Sequence, residues 1–88
     1  MVRELKEIEW SGNVGDPAYL RFTKMPVANT ESHANGEVIV DLDAYNEVVG
    51  IEMLSTDPEE WEAVAHIGKE HGLRFDLFLA SNKQHGAA

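Results

Sequence analysis

The residues best spaced for chemistry lie between Asp41 and Glu52, in the run Asp-Leu-Asp-Ala-Tyr-Asn-Glu-Val-Val-Gly-Ile-Glu. Written as a calcium-binding loop of the helix–loop–helix type, it places carboxylates at the first, third and last positions. A hard cation collects about six to eight oxygens at ~2.3–2.6 Å, so that spacing has chemical meaning. Two positions disagree. The fifth is Tyr45, not an oxygen-bearing Asp or Asn, and the sixth is Asn46 where the loop needs glycine. The flanks read as strands instead of helices, and strand geometry carries Glu52 away from Asp41. A hairpin with a polar turn accounts for the same residues. Asp41, Asp43 and Glu47 stay as the candidates for a divalent cation, and no cofactor is expected.

The other chemistry-bearing residues are more scattered. His66 and His71 are five positions apart, which on a helix turns them about 140° from each other and prevents shared chelation. The zinc-protease spacing of four with an intervening Glu is absent. His33 lies beside a turn and His85 in the tail, so structural or solvent roles are expected for all four. Gly12-Asn-Val-Gly15 lacks the Gly-Lys-Ser/Thr ending of a phosphate loop, and Asp16 beside it repels phosphate. Nothing marks Ser11, Ser32, Ser55 or Ser81 as a strained nucleophile. Paired acids such as Asp41 and Asp43 could do acid–base work only in a concave pocket, which a domain this small rarely encloses. No catalytic constellation emerges.

Charge says more about partners than about reactions. Seven basic residues face sixteen acidic ones, for a net charge of −9. Between Lys24 and Lys69 there is no Lys or Arg, yet ten carboxylates fall there. Such a surface repels nucleic acid, which is bound through Lys and Arg. A basic protein surface, a cation or a second copy of the chain are the partners left, and the plain alternative is that the acids keep the chain in solution. Cysteine is absent, which excludes disulfides and thiol nucleophiles. The charged stretch Met1 to Glu9 is not a signal peptide, and no apolar run approaches the roughly 20 residues of a membrane span. The cytoplasm is the expected compartment.

These residues must be positioned by a small α+β fold. Eighty-eight residues hold one hydrophobic core, and residues 1–80 are expected to form a single domain, with 81–88 as a disordered tail. Val2 to Trp10 is a mixed segment that can form a strand, and Ser11 to Pro17 has loop chemistry. Ala18 to Lys24 alternates with the strand period, and Val27 to His33 suits a polar edge strand. Asn35-Gly36 signals a type I′ turn, since both central positions need positive φ. Glu37 to Leu42 and Glu47 to Leu54 read as strands, with Gly50 marking a bulge or a close backbone approach. The helix is the best-specified element, about 58–71. Asp57 caps it, Pro58 opens it, Glu60 closes a capping box and Gly72 stops it. Trp61, Val64, Ala65 and Gly68 form the stripe expected against the sheet. Leu73 to Ala80 reads as a last strand or a second short helix, apolar on both faces. Leu73, Phe75, Leu77 and Phe78 are therefore expected to make subunit contacts. The fold expected is an antiparallel β-meander of about four to five strands packed by one helix.

The order Ala18-Tyr-Leu-Arg-Phe22, Val38-Ile-Val-Asp-Leu-Asp43, Val48-Val-Gly-Ile-Glu-Met-Leu54 resembles a known family. It is the domain-of-unknown-function family numbered two thousand two hundred and eighty-three, of small and mostly bacterial proteins. The resemblance covers about Asp16 to Leu54 and implies a fold without an activity. The Gly-rich loop at 11–16 and the capped helix extend beyond it. The reading that follows is a non-enzymatic, homo-oligomeric interaction module, antitoxin-like or accessory, offering an acidic face to a basic partner. A divalent-cation-binding protein using the Asp41–Glu52 hairpin is the second reading, and a small hydrolase or isomerase the third.

Overall fold

In the central strands, alternation of apolar and polar side chains gives one buried and one open face. The computed structural model describes residues 3–75. Its strands are β1 (Arg3–Glu4), β2 (Glu7–Trp10), β3 (Ala18–Arg21), β4 (Asn29–His33), β5 (Val38–Leu42), β6 (Val48–Met53) and β7 (Leu73–Arg74). One helix, α1 (Pro58–His71), follows β6. Five strands form an antiparallel sheet in the order β2-β3-β6-β5-β4, and β1 pairs with β7 in parallel. The expected antiparallel meander packed by one helix is what the chain forms. Its two halves, β2-β3 and β4-β5-β6, meet where β3 pairs with β6, bringing Tyr19 opposite Glu52 and Arg21 opposite Gly50.

The buried face carries Ala18 and Leu20 from β3, Val38, Val40 and Leu42 from β5, and Ile51 and Met53 from β6. Helix α1 covers it with Val64 and Ile67. Trp10 meets Trp61 edge-to-face at 5.5 Å, and Phe22 meets Phe75 in the same way at 5.6 Å. The helix begins as expected, with a capping box in which Glu60 Oε1 accepts the Asp57 amide at 3.2 Å. It ends at Gly72, whose φ of 66° is the left-handed conformation glycine adopts without a Cβ penalty.

Four differences from the sequence reading have physical causes. On α1 the buried stripe runs through Glu60, Val64, Ile67 and Gly68, while Ala65 faces out. The chain returning through Leu73 and Phe75 packs over Gly68 and draws the stripe round toward Ile67. The Asn35-Gly36 turn is wider than a two-residue loop, because His33 pairs with Val38. Ala34, Asn35 and Gly36 all take positive φ there. The segment 2–10 splits into β1 and β2, since Leu5 turns into the core. The strand expected over Leu73–Ala80 is β7 at Leu73–Arg74; Leu77, Phe78 and the rest of 76–88 lie outside the described residues. No helix among the described residues is long and apolar enough to cross a membrane.

Candidate functional site

The helix covers one face of the sheet, and the chemistry-bearing side chains gather on the other. Strand alternation puts Glu7 and Glu9 of β2, Tyr19 and Arg21 of β3, Gly50 and Glu52 of β6, and Ile39 and Asp41 of β5 on this open face. Thr30 and Ser32 of β4 continue it to the edge. Tyr19 is its centre. Its ring lies across Gly50, close enough that a Cβ there would overlap the phenol. The missing side chain lets Tyr19 reach over β6 to β5, where its hydroxyl donates to Asp41 Oδ2 at 2.8 Å. Gly50 thus serves the close approach its position in a strand suggests. A bulge lies beside it, for Asp41 pairs with Gly50 but Leu42 pairs with Val48, leaving Val49 as the extra residue.

Burial pushes the Tyr19 hydroxyl up to about 12, and the Asp41 hydrogen bond and charge add to the shift. The Arg21 guanidinium, 5.2 Å from the ring centroid, pulls the other way without reversing it. Tyr19 therefore keeps its proton at neutral pH and donates it in the hydrogen bond to Asp41. Arg21 also faces Glu7 at 3.5 Å. Glu7, Glu9 and Glu52 are exposed around this centre, so the face is acidic at its rim and aromatic in the middle.

The acids proposed for a cation are engaged elsewhere. Arg3 Nη2 donates to Asp43 Oδ2 at 2.7 Å and lies 3.3 Å from Glu47 Oε2, while Nη1 donates to the Val48 carbonyl at 2.6 Å. Asp43 Oδ1 accepts the amides of Tyr45 and Glu47 at 2.8 and 3.1 Å, closing the turn between β5 and β6. Burial alone would raise the Asp43 pKa, but donation from Arg3 and those two amides outweighs it and holds the carboxyl below its ordinary value. Asp41 is bound to Tyr19 on the open face. Among the described residues no group of three or more His, Asp or Glu side chains is placed to hold a metal ion. The turn is held together by an internal guanidinium in place of a cation. Its flanks are β5 and β6, as the hairpin reading expects.

The remaining residues singled out in the sequence are dispersed. His33 ends β4, 3.5 Å from Glu31, and His66 sits 3.2 Å from Glu70 on the exposed side of α1. His71 is half-buried at the end of α1. Ser11 and Ser55 donate to Asp16 and Asp57. Leu73 and Phe75 are half-buried against the chain's own core. Thr56 carries no sequence signal, yet it is fully buried and fastens the glycine-rich loop. Its hydroxyl accepts the Gly15 amide at 3.0 Å and donates to the Asp16 carbonyl at 2.7 Å.

A family model described as protein of unknown function (DUF2283) matches residues 13–55, just under half of the chain. The resemblance read over Asp16 to Leu54 is borne out. The matched stretch contains β3 to β6 and so carries Tyr19, Arg21, Asp41, Gly50 and Glu52 of the open face. No curated protein and no solved structure matches the chain.

Proposed function

Starting from the match of residues 13–55 to that family of proteins of unknown function, we propose that the chain is a non-enzymatic protein-interaction module. Its binding surface is the open sheet face, and its partner presents basic side chains. One observation carries the reading: Glu7, Glu9 and Glu52 stand exposed around the Tyr19–Asp41 pair, on a sheet face that no element of residues 3–75 is seen to cover. A rigid strand platform with an aromatic centre and charged rim suits protein contact, where aromatic anchors contribute affinity and rim charges steer encounter.

Self-association belongs to the same proposal. The polar edge strand β4 ends the sheet, and the half-buried Leu73 and Phe75 lead into the apolar Leu77 and Phe78 of the sequence. Sedimentation equilibrium at several concentrations and salt levels tests it, and a mass fixed at 9.8 kDa throughout removes it. The binding face is tested separately by titrating an arginine-rich peptide at low salt. The Glu9→Gln/Glu52→Gln double variant is expected to weaken binding at least about tenfold, because two rim charges are lost. Equal affinity of variant and parent sinks the open-face assignment.

A further inference from the structure

The acidic total hides a basic corner. The chain has no Lys or Arg between Lys24 and Lys69, and four precede that gap: Arg3, Lys6, Arg21 and Lys24. Three of them, Lys6, Arg21 and Lys24, line one solvent-open cavity of about 310 Å³ together with Glu7, Phe22 and Thr23. Three backbone hydrogen bonds beyond the strand ends build it. The Lys6 amide donates to the Arg21 carbonyl at 2.8 Å, and the Phe22 and Thr23 amides both donate to the bulged Val49 carbonyl at 2.9 and 3.3 Å. These bonds hold the chain on either side of the cavity.

We propose that this cavity binds a dianionic phosphate group, as inorganic phosphate or as a phosphomonoester. Three cations against the single carboxylate of Glu7 leave a lining charge of about two, the complement of a phosphate dianion at neutral pH. Arg21 supplies a planar fork of donors that fits phosphate oxygens, already oriented over the Tyr19 ring. Lys6 and Lys24 are exposed and have no ion pair among the described residues, so both ammonium groups are available. The Thr23 hydroxyl accepts the Met25 amide at 3.3 Å, which leaves its own proton to donate to a ligand. Glu7 is the built-in competitor. It holds Arg21 at 3.5 Å in an exposed contact of the kind worth little, which an anion of higher charge displaces. The volume lies at the low end of small-ligand sites, large enough for a phosphate and a short organic substituent.

The test is an amide chemical-shift titration of the whole chain at low ionic strength with inorganic phosphate, with acetate and chloride as controls at matched ionic strength. Phosphate is expected to move the amides of Lys6, Glu7 and residues 21–24, with a Kd on the order of millimolar. Lys6→Ala/Lys24→Ala replaces exposed side chains and leaves the fold intact, and it weakens binding by at least about tenfold. Glu7→Gln removes the competitor and strengthens binding severalfold. Phosphoserine is the second arm. Tighter binding than inorganic phosphate assigns a phosphorylated side chain, and equal or weaker binding assigns free phosphate; both keep the dianion site. Absence of shifts, the same shifts with acetate or chloride, or an affinity unchanged in the double lysine variant overturns it.

Discussion

Tyr19 shows how one side chain depends on an absent one. A phenol on β3 reaches a carboxylate on β5 only because Gly50 leaves the intervening strand bare. Asp41→Asn removes the acceptor's charge, so the Tyr19 titration midpoint is expected to fall from about 12 toward the ordinary 10.0, read from the ultraviolet spectrum of the phenolate. The pH dependence has a definite direction. Folded Tyr19 holds its proton more tightly than the unfolded residue, so its contribution to stability is complete below about pH 10 and is lost as pH rises through about 12. In Asp41→Asn that alkaline loss is smaller, as denaturant titrations on either side of pH 10 will show. Gly50→Ala drives a methyl into the phenol and displaces the ring from Asp41. A cost of roughly 1–3 kcal/mol is expected from such crowding. Tyr19→Ala in the same chain relieves the overlap, so the double variant must cost less than the two singles summed. Strict additivity would show that ring and methyl do not compete for one space.

At the scale of elements, α1 is capped by local rules but seated by a contact its own sequence does not announce. Gly68 is a poor helix former in the middle of a helix, and replacing it with alanine would ordinarily gain about 1 kcal/mol of propensity. Here the added Cβ would lie 2.7 Å from the Phe75 ring. Phe75 in turn stacks edge-to-face on Phe22 of the core, so it cannot swing aside freely. Crowding of this kind costs about 1–3 kcal/mol, which exceeds the gain. Gly68→Ala is therefore expected to destabilise the protein, seen as a lower urea midpoint. A raised midpoint would mean that Phe75 yields, and that the α1–β7 corner is looser than its packing indicates.

Across the whole molecule, the ends of the described chain close on each other. β1 pairs with β7, joining Arg3 to Leu73 and Glu4 to Arg74, and the Leu5 amide donates to the Arg74 carbonyl at 2.8 Å. Leu5 is 3 % exposed and belongs to the core. A leucine-to-alanine change at such a site costs about 2–5 kcal/mol. A domain of this length has a total stability of only about 4–13 kcal/mol, at roughly 0.05–0.15 kcal/mol per residue. Leu5→Ala is thus expected to remove a large share of the stability and to unmask the β1 and β7 amides together in hydrogen exchange. If β7 stays protected while β1 exchanges, the two strands do not act as one closing unit. Arg3 ties the same closure to the far turn, through Asp43 and Glu47.

Local periodicity carried most of the elements. The alternation from Ala18, the two runs around Asp43–Asn46 and the Asp57-Pro58-Glu-Glu60 cap could each be read from neighbours in the chain, because side-chain period and capping are properties of a few adjacent residues. The bulge and close approach at Gly50 were legible for the same reason. The open face and its chemistry were not. Tyr19 is 22 residues from Asp41 along the chain, and only the pairing of β3 with β6, not with the strand that follows it, sets it beside Asp41 and Gly50. Likewise the hairpin turn was legible, but the partner of its acids was not, because Arg3 lies forty residues away from Asp43 in the chain. Strand order and the closure of the termini are decided by which surfaces can bury against each other. That competition is settled by the tertiary fold, and no short stretch of residues encodes it.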